Sequence, residues 1–184
     1  MQVSRNTLII AVVILVAAAT RLIPHPMNFA PLGALALFGS AYLSRNGIGL
    51  GMVFLAWFAS DLFLNNVVYS TEGFTLFTLG SFFIYGSMAI IFVLGRFLFK
   101  KVSVLRVIGG ALSASVIFFI LSNLGVWFTG TMYPMTFDGL LTCYAAAVPF
   151  FHNTIAGDLL YSGVMFMAYQ WYFKSSLQEN KAEI

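Results

Sequence analysis

The chain has 184 residues, 60% of them hydrophobic and only 8% charged, with a net charge of +3 and a mean hydropathy of +0.93. A water-soluble domain carries about 25% charged residues, so these few charges cannot coat a soluble surface, and no nucleic-acid partner is expected. A helical membrane span takes roughly 20 apolar residues, so six spans with short loops fill 1–184 as a single transmembrane domain and leave no room for a second, soluble one.

Six apolar stretches follow in chain order, with ends uncertain by about two to four residues. Helix 1 is expected over about 7–23 and stops at Pro24-His25-Pro26, which cannot continue a helix. Its start has features of a signal peptide, with Arg5 before the apolar run and Ala17-Ala18-Ala19 as a cleavage site. The run continues through Leu22 and Ile23 with Arg21 inside it, which reads as an uncleaved helix. Helix 2 is expected over about 29–43, short for a span, with Pro31 tolerated in its first turn. Helices 3, 4 and 5 are expected over about 47–66, 74–99 and 102–128, and helix 6 over about 145–173 with Pro149 near its first turn.

Orientation follows from lysine and arginine, which concentrate on the cytoplasmic side. Arg5, Arg45, Arg96, Lys100, Lys101, Arg106, Lys174 and Lys181 fall on one side of the six-helix scheme, and Arg21 alone on the other. Both termini are therefore expected inside, with the 24–28, 67–73 and 129–144 loops outside. The fold class is an all-α membrane protein, a six-transmembrane-helix bundle of a bacterial inner membrane.

Charged and amide side chains are costly inside a membrane, so each is a functional candidate. Helices 3 and 5 run outward and helix 6 inward. Asp61, Asn65, Asn66, Asn123, Trp127, His152, Asn153, Thr154 and Asp158 thus gather in the outer part of the bundle, and Arg21 closes the outer end of helix 1. The inner halves hold mostly Ser81, Ser87, Ser113, Ser115 and Gln170. Trp57, Asp61 and Asn65 recur at i, i+4 and i+8, as do Phe119, Asn123 and Trp127, while Thr154, Asp158 and Tyr161 share a face of helix 6. Aromatic walls with a few convergent polar groups are what a small-molecule pocket requires. The outer loops add Tyr69, Glu72, Tyr133, Asp138 and Tyr144. The expected substrate site comprises Arg21, Trp57, Asp61, Asn65, Asn123, Trp127, Tyr133, His152, Asn153 and Asp158. The competing reading is helix-to-helix hydrogen bonding, with Asp61 or Asp158 paired to Arg21 merely to hold the bundle.

Other motifs lead away from catalysis. Gly47-Ile48-Gly49-Leu50-Gly51 follows no strand and opens a membrane helix, so it reads as close packing rather than a phosphate loop. His152 has no second ligand at helical spacing and His25 lies in a loop, so neither a metal nor another cofactor is expected. A lone Cys143 reads as a small apolar filler. No nucleophile–base order suggests hydrolysis, and the chain is not expected to be an enzyme.

Three runs carry a family resemblance: 20–31 (Thr20-Arg21-Leu22-Ile23-Pro24-His25-Pro26-Met27-Asn28-Phe29-Ala30-Pro31), 122–127 with Met132-Tyr133-Pro134, and 143–151 followed by Asn153-Thr154 and Gly157-Asp158. They resemble signatures of an uncharacterised bacterial membrane family, within a broader group whose plan is that of the S components of energy-coupling factor (ECF) vitamin transporters. Solitary cobalamin S components are the suspected functional relatives. The resemblance implies uptake of a vitamin or related micronutrient, outer loops closing over the solute, and either an ECF energising module as partner or action alone. Leu15 stands where S components carry one of two alanines four apart, and Cys143 does not match the cobalt-binding cysteine of the cobalamin type. The alternatives are a membrane enzyme or sensor for a lipid-soluble ligand, and a structural assembly protein.

Overall fold

The structure, a computed structural model, describes residues 5–43, 48–69 and 73–182, with side chains to residue 173. Arg45 and Glu72, and the side chains of Lys174 and Lys181, lie outside the described residues. Six α-helices follow one another: α1 (Arg5–Ala19), α2 (Leu32–Leu43), α3 (Ile48–Phe63), α4 (Leu79–Leu98), α5 (Val104–Phe128) and α6 (Phe137–Ala182). A 3-10 turn (Thr20–Leu22) extends α1 and a π-helical turn (Leu64–Val68) extends α3. No strand occurs among the described residues.

Among the described residues, four segments are long and apolar enough to cross a membrane: Arg5–Leu22, Ile48–Val68, Leu79–Leu98 and Val104–Phe128. Together with the scarcity of charge they mark a membrane protein. The bundle is correspondingly apolar on its outside. On α5, Val104, Ile108, Leu112, Val116 and Ile120 recur every four residues and are all exposed, whereas the opposite face buries Gly110, Ala111, Ala114 and Ser115. Small inward residues let helix backbones approach closely, the usual solution where lipid gives no hydrophobic drive for association. Helix α6 is not among the four, because His152, Asn153 and Asp158 interrupt its apolar run.

Helix α2 is the centre of the fold. It contacts all five other helices, and its residues from Leu32 to Ser40 are all buried. A helix apolar all round belongs in an interior. Gly39 and Gly49 make the α2–α3 approach possible: a Cβ on Gly49 would lie 2.7 Å from that of Leu43, and one on Gly39 would lie 2.6 Å from Val53. The 47–51 glycine run thus contributes one packing residue, since Gly51 faces open space and Gly47 lies outside the described residues.

At 12 residues, α2 is only about 18 Å long, against roughly 30 Å of hydrocarbon. Its N-terminus shares Asp158 with Ser115 of α5, which lies 11 residues from one end of that helix and 13 from the other. The start of α2 therefore sits midway along a membrane-length helix. The chain reaches it through the non-helical segment 23–31, where Asn28 adopts a left-handed φ of 63° and the Phe29 amide bonds the Pro26 carbonyl at 3.1 Å. Residues 23–28 of this segment are exposed, and only 29–31 descend under cover of the bundle, where non-helical backbone is tolerated.

Several helix ends differ from the sequence expectation, each for a local reason. Helix α2 starts at Leu32, after Pro31, rather than at 29. Helix α4 starts at Leu79 rather than 74, because Thr78 and Ser81 form a reciprocal capping box. Helix α6 starts at Phe137 rather than 145, where Thr136 Oγ1 accepts the Gly139 amide at 3.1 Å and Asp138 sits in the first turn. Pro149 is consequently well inside α6.

Candidate functional site

Arg21 leaves the end of α1 just before the 23–31 segment and reaches across to α3. Its guanidinium lies 3.5 Å above the centre of the Trp57 ring and pairs with Asp61 Oδ1 at 2.8 Å. It also donates to Ser60 Oγ, and to the Trp57 carbonyl at 3.4 Å. Tyr85 on α4 donates its hydroxyl to the other Asp61 oxygen at 3.0 Å. A planar fork with several donors suits this arrangement, which a point-charge ammonium cannot reproduce. Of the two carboxylates considered for Arg21, Asp61 is the partner.

Asp158 has a different task. It is 1% exposed and accepts a hydrogen bond from Ser115 Oγ at 2.8 Å and from the backbone amides of Gly33 and Ala34. Those amides are two of the unsatisfied donors at the N-terminus of α2, so a side chain of α6 caps a helix elsewhere in the sequence. Gly33 is required for this contact, because a Cβ there would lie 2.5 Å from Asp158 Oδ1.

Between these two clusters lies a cavity of about 190 Å³, bounded by Arg21, Asn28, Trp57, Thr154 and Asp158, with Leu32, Ile84 and Phe118 as apolar walls. Trp57 is 3% exposed, and its indole Nε1 has no hydrogen-bond partner. A buried N–H left unpaired is uncommon, and this one belongs to a residue of the cavity wall.

The cavity gathers Arg21, Trp57 and Asp158 from the expected site, with Asp61 directly behind Arg21. The others lie elsewhere. Asn65 sits in the π-helical turn and does not line the cavity. Its neighbour Asn66 bridges to Thr75, donating to the Thr75 carbonyl at 2.9 Å and accepting the Thr75 amide at 2.6 Å. Asn123 bonds the Phe119 carbonyl within α5 at 2.7 Å. Trp127 donates to the Pro134 and Thr136 carbonyls and so ties down the 129–136 loop, which carries Tyr133. Asn153 donates to the Met27 carbonyl at 3.0 Å and fastens the 23–31 segment to α6. His152 is exposed and outside the cavity. These side chains serve loops and helix contacts, as amides often do in membrane bundles.

Sequence reading did not single out Gly33, Ser60 or Tyr85, and left Ser115 among the inner-half serines. The Pro31-Leu32-Gly33 start of a short helix was the available signal for a buried N-terminus in need of an acceptor. Among the described residues no group of three His, Cys, Asp or Glu side chains could hold a metal ion. Cys143 is buried with its thiol 3.4 Å from the Asn123 carbonyl.

Residues 1–180 match a family of unknown function (DUF6580). The chain belongs to this family. The match covers all six helices, up to the last residues of α6. No curated protein matches the sequence, and no solved structure does either.

Proposed function

We propose that this DUF6580 member is a substrate-binding protein of the bacterial inner membrane that serves uptake of a vitamin or related micronutrient. The observation that carries the reading is a cavity in an otherwise apolar bundle into which Arg21, Asn28, Thr154 and Asp158 bring polar groups, with Trp57 in its wall. In this reading the chain crosses the bilayer six times with both ends inside, α2 and its irregular lead-in together forming the second crossing. The basic residues favour that orientation. The likeness to ECF S components supplies the transport step: the outer segments close over the solute and the protein reorients to release it inside. Energy comes from an ECF-type module or from a source within the chain's own reach.

The volume narrows the solute. At about 190 Å³ the cavity is below the roughly 300–1,000 Å³ of sites for drug-sized ligands. A small vitamin or vitamin precursor fits this size. A cobalamin-like solute is several times larger and requires the 23–31 segment to part from α6. Thermal-shift measurements on the purified protein against a panel of small vitamins and their precursors test the reading. A solute that stabilises the wild type and not Trp57→Phe is expected, whereas equal stabilisation of both would remove Trp57 from the site.

One observation favours a second reading, a membrane enzyme or sensor for a lipid-soluble ligand. A cleft of about 420 Å³ lies between α3 and α4, walled by Phe54, Phe58, Phe77, Phe82 and Tyr85. Stabilisation by an apolar ring compound, and by no vitamin in the panel, would favour it.

A further inference from the structure

Asp158 is a buried carboxylate without a cation. Among the described residues the one ion pair joins Arg21 to Asp61, and only hydrogen bonds compensate Asp158. An isolated ionised carboxylate is costly to bury, and the cost is relieved by oriented donors or by a proton. The surroundings of Ser115 provide for both. Ser115 Oγ is 2.8 Å from Asp158 Oδ2 and 3.0 Å from the Ala111 carbonyl, yet a hydroxyl has a single hydrogen. With Asp158 ionised, Ser115 donates to the carboxylate. With Asp158 protonated, the acid donates to Ser115 Oγ and the Ser115 hydrogen turns to Ala111. Both arrangements satisfy every group without moving a heavy atom.

We propose that Asp158 is a proton-binding site that couples the cavity to the seating of α2, so that proton movement helps drive solute uptake. This rests on the uptake reading above. The carboxylate holds the Gly33 and Ala34 amides by charge-assisted bonds, which are about twice as strong as neutral ones. A proton taken up from the cavity weakens them and loosens the α2 N-terminus and the 23–31 segment, the wall through which a solute passes. Loss of the proton on the other side reseats the helix. No nucleotide-binding motif occurs in the sequence, so a proton gradient is a source of energy this chain can use by itself.

Other titratable groups face the same space and must be separated from Asp158. The end of α1 brings Arg21, held by Asp61 of α3, and the lead-in segment brings His25. The end of α3 brings Tyr69. On α4, the Tyr85 hydroxyl is committed to Asp61, and on α6, Tyr161 packs its ring against Phe29. Helices α2 and α5 bring none to this depth, since their titratable residues, Tyr42 and Arg106, lie at the far end of α2 and the start of α5.

Infrared difference spectra of the purified protein in nanodiscs, from about pH 4 to about pH 9, test the proposal without any solute. The expected result is one protonated-carboxyl band, resolved from those of the five other Asp and Glu side chains, that titrates in the wild type and in His25→Ala and is missing in Asp158→Asn. Amide exchange at residues 32–36, corrected for the intrinsic rate, is expected to rise at low pH in the wild type alone. If Asp158→Asn does not fold, Ser115→Ala decides, because it keeps the carboxylate and removes its partner. Its band is expected to change frequency and its midpoint to move by at least about half a pH unit. If that resolved band persists in Asp158→Asn, is unchanged in Ser115→Ala, disappears in His25→Ala, or responds to sodium at fixed pH, the proposal is overturned. A titrating Asp158 in a protein that binds no micronutrient would sink the uptake reading and leave the proton site standing.

Discussion

Replacing Arg21 with alanine removes a cation from a site where both partners are nearly enclosed: the side chains of Arg21 and Asp61 are 13% and 15% exposed. Asp61 is then left with only the Tyr85 hydroxyl as donor. Breaking a buried pair by removing one partner costs about 3–5 kcal/mol, and the residual exposure places this case near about 3. Loss of the contact over Trp57 adds about 1–2 kcal/mol. Arg21→Lys keeps the charge and one bond to Asp61, and loses the simultaneous contacts to Ser60 and the Trp57 carbonyl. At about 1 kcal/mol per lost hydrogen bond, lysine is expected to cost about 2 kcal/mol. A kcal/mol moves the melting temperature of a chain this long by about 2–4 °C. Thermal unfolding in detergent should therefore rank wild type above Arg21→Lys above Arg21→Ala. Adding Asp61→Asn to the alanine variant should recover part of the loss, because the stranded charge is gone. Unchanged melting in both single variants would mean that Arg21 merely extends to the lipid headgroups, and the reasoning about the site would fail.

The other expectations follow from single contacts. Gly33→Ala forces Asp158 away from the start of α2 and should destabilise the protein by about 2–3 kcal/mol, the range for stranding a buried polar group, read as a fall in melting temperature; a neutral effect would deny the capping role. Asn66→Ala unfastens the segment before α4 from α3, and amide exchange at Thr75 should rise by roughly tenfold, equivalent to about 1.4 kcal/mol, while the Arg21 site stays intact. For topology, Lys101→Cys should resist membrane-impermeant thiol reagents applied from outside and Tyr69→Cys should react; labelling of Lys101→Cys would reverse the orientation.

What the sequence reveals and conceals here has physical causes. Long apolar runs such as α4 and α5 are legible because lipid-facing residues keep an uninterrupted hydrophobic pattern. The ends were less so. The early start of α6 depends on the Thr136 cap, eight or so residues before the apolar run, and a lone threonine two residues after Pro134 is a weak signal. Trp57 lines the cavity and Asp61, one turn on, stands behind it at Arg21, because i and i+4 share a helix face. Asn65 lies outside the cavity lining, in the π-helical turn, where the rotation per residue changes. Position along a helix gives a depth for Asn123, Trp127 and Asn153, but depth does not say which face meets a cavity and which meets a loop. Ser115 and Gly33 are far apart in sequence, and only the packing of α2, α5 and α6 brings them to Asp158.

The central claim is that the cavity between Arg21, Trp57 and Asp158 holds a small solute. Native mass spectrometry of the protein purified from its own membrane, with identification of what it releases, tests this most directly. The account predicts one small, vitamin-like compound in near-stoichiometric amount in the wild type and its loss in Trp57→Phe and Arg21→Ala variants that remain folded. A bound phospholipid alone, or a compound retained equally by both variants, would contradict it.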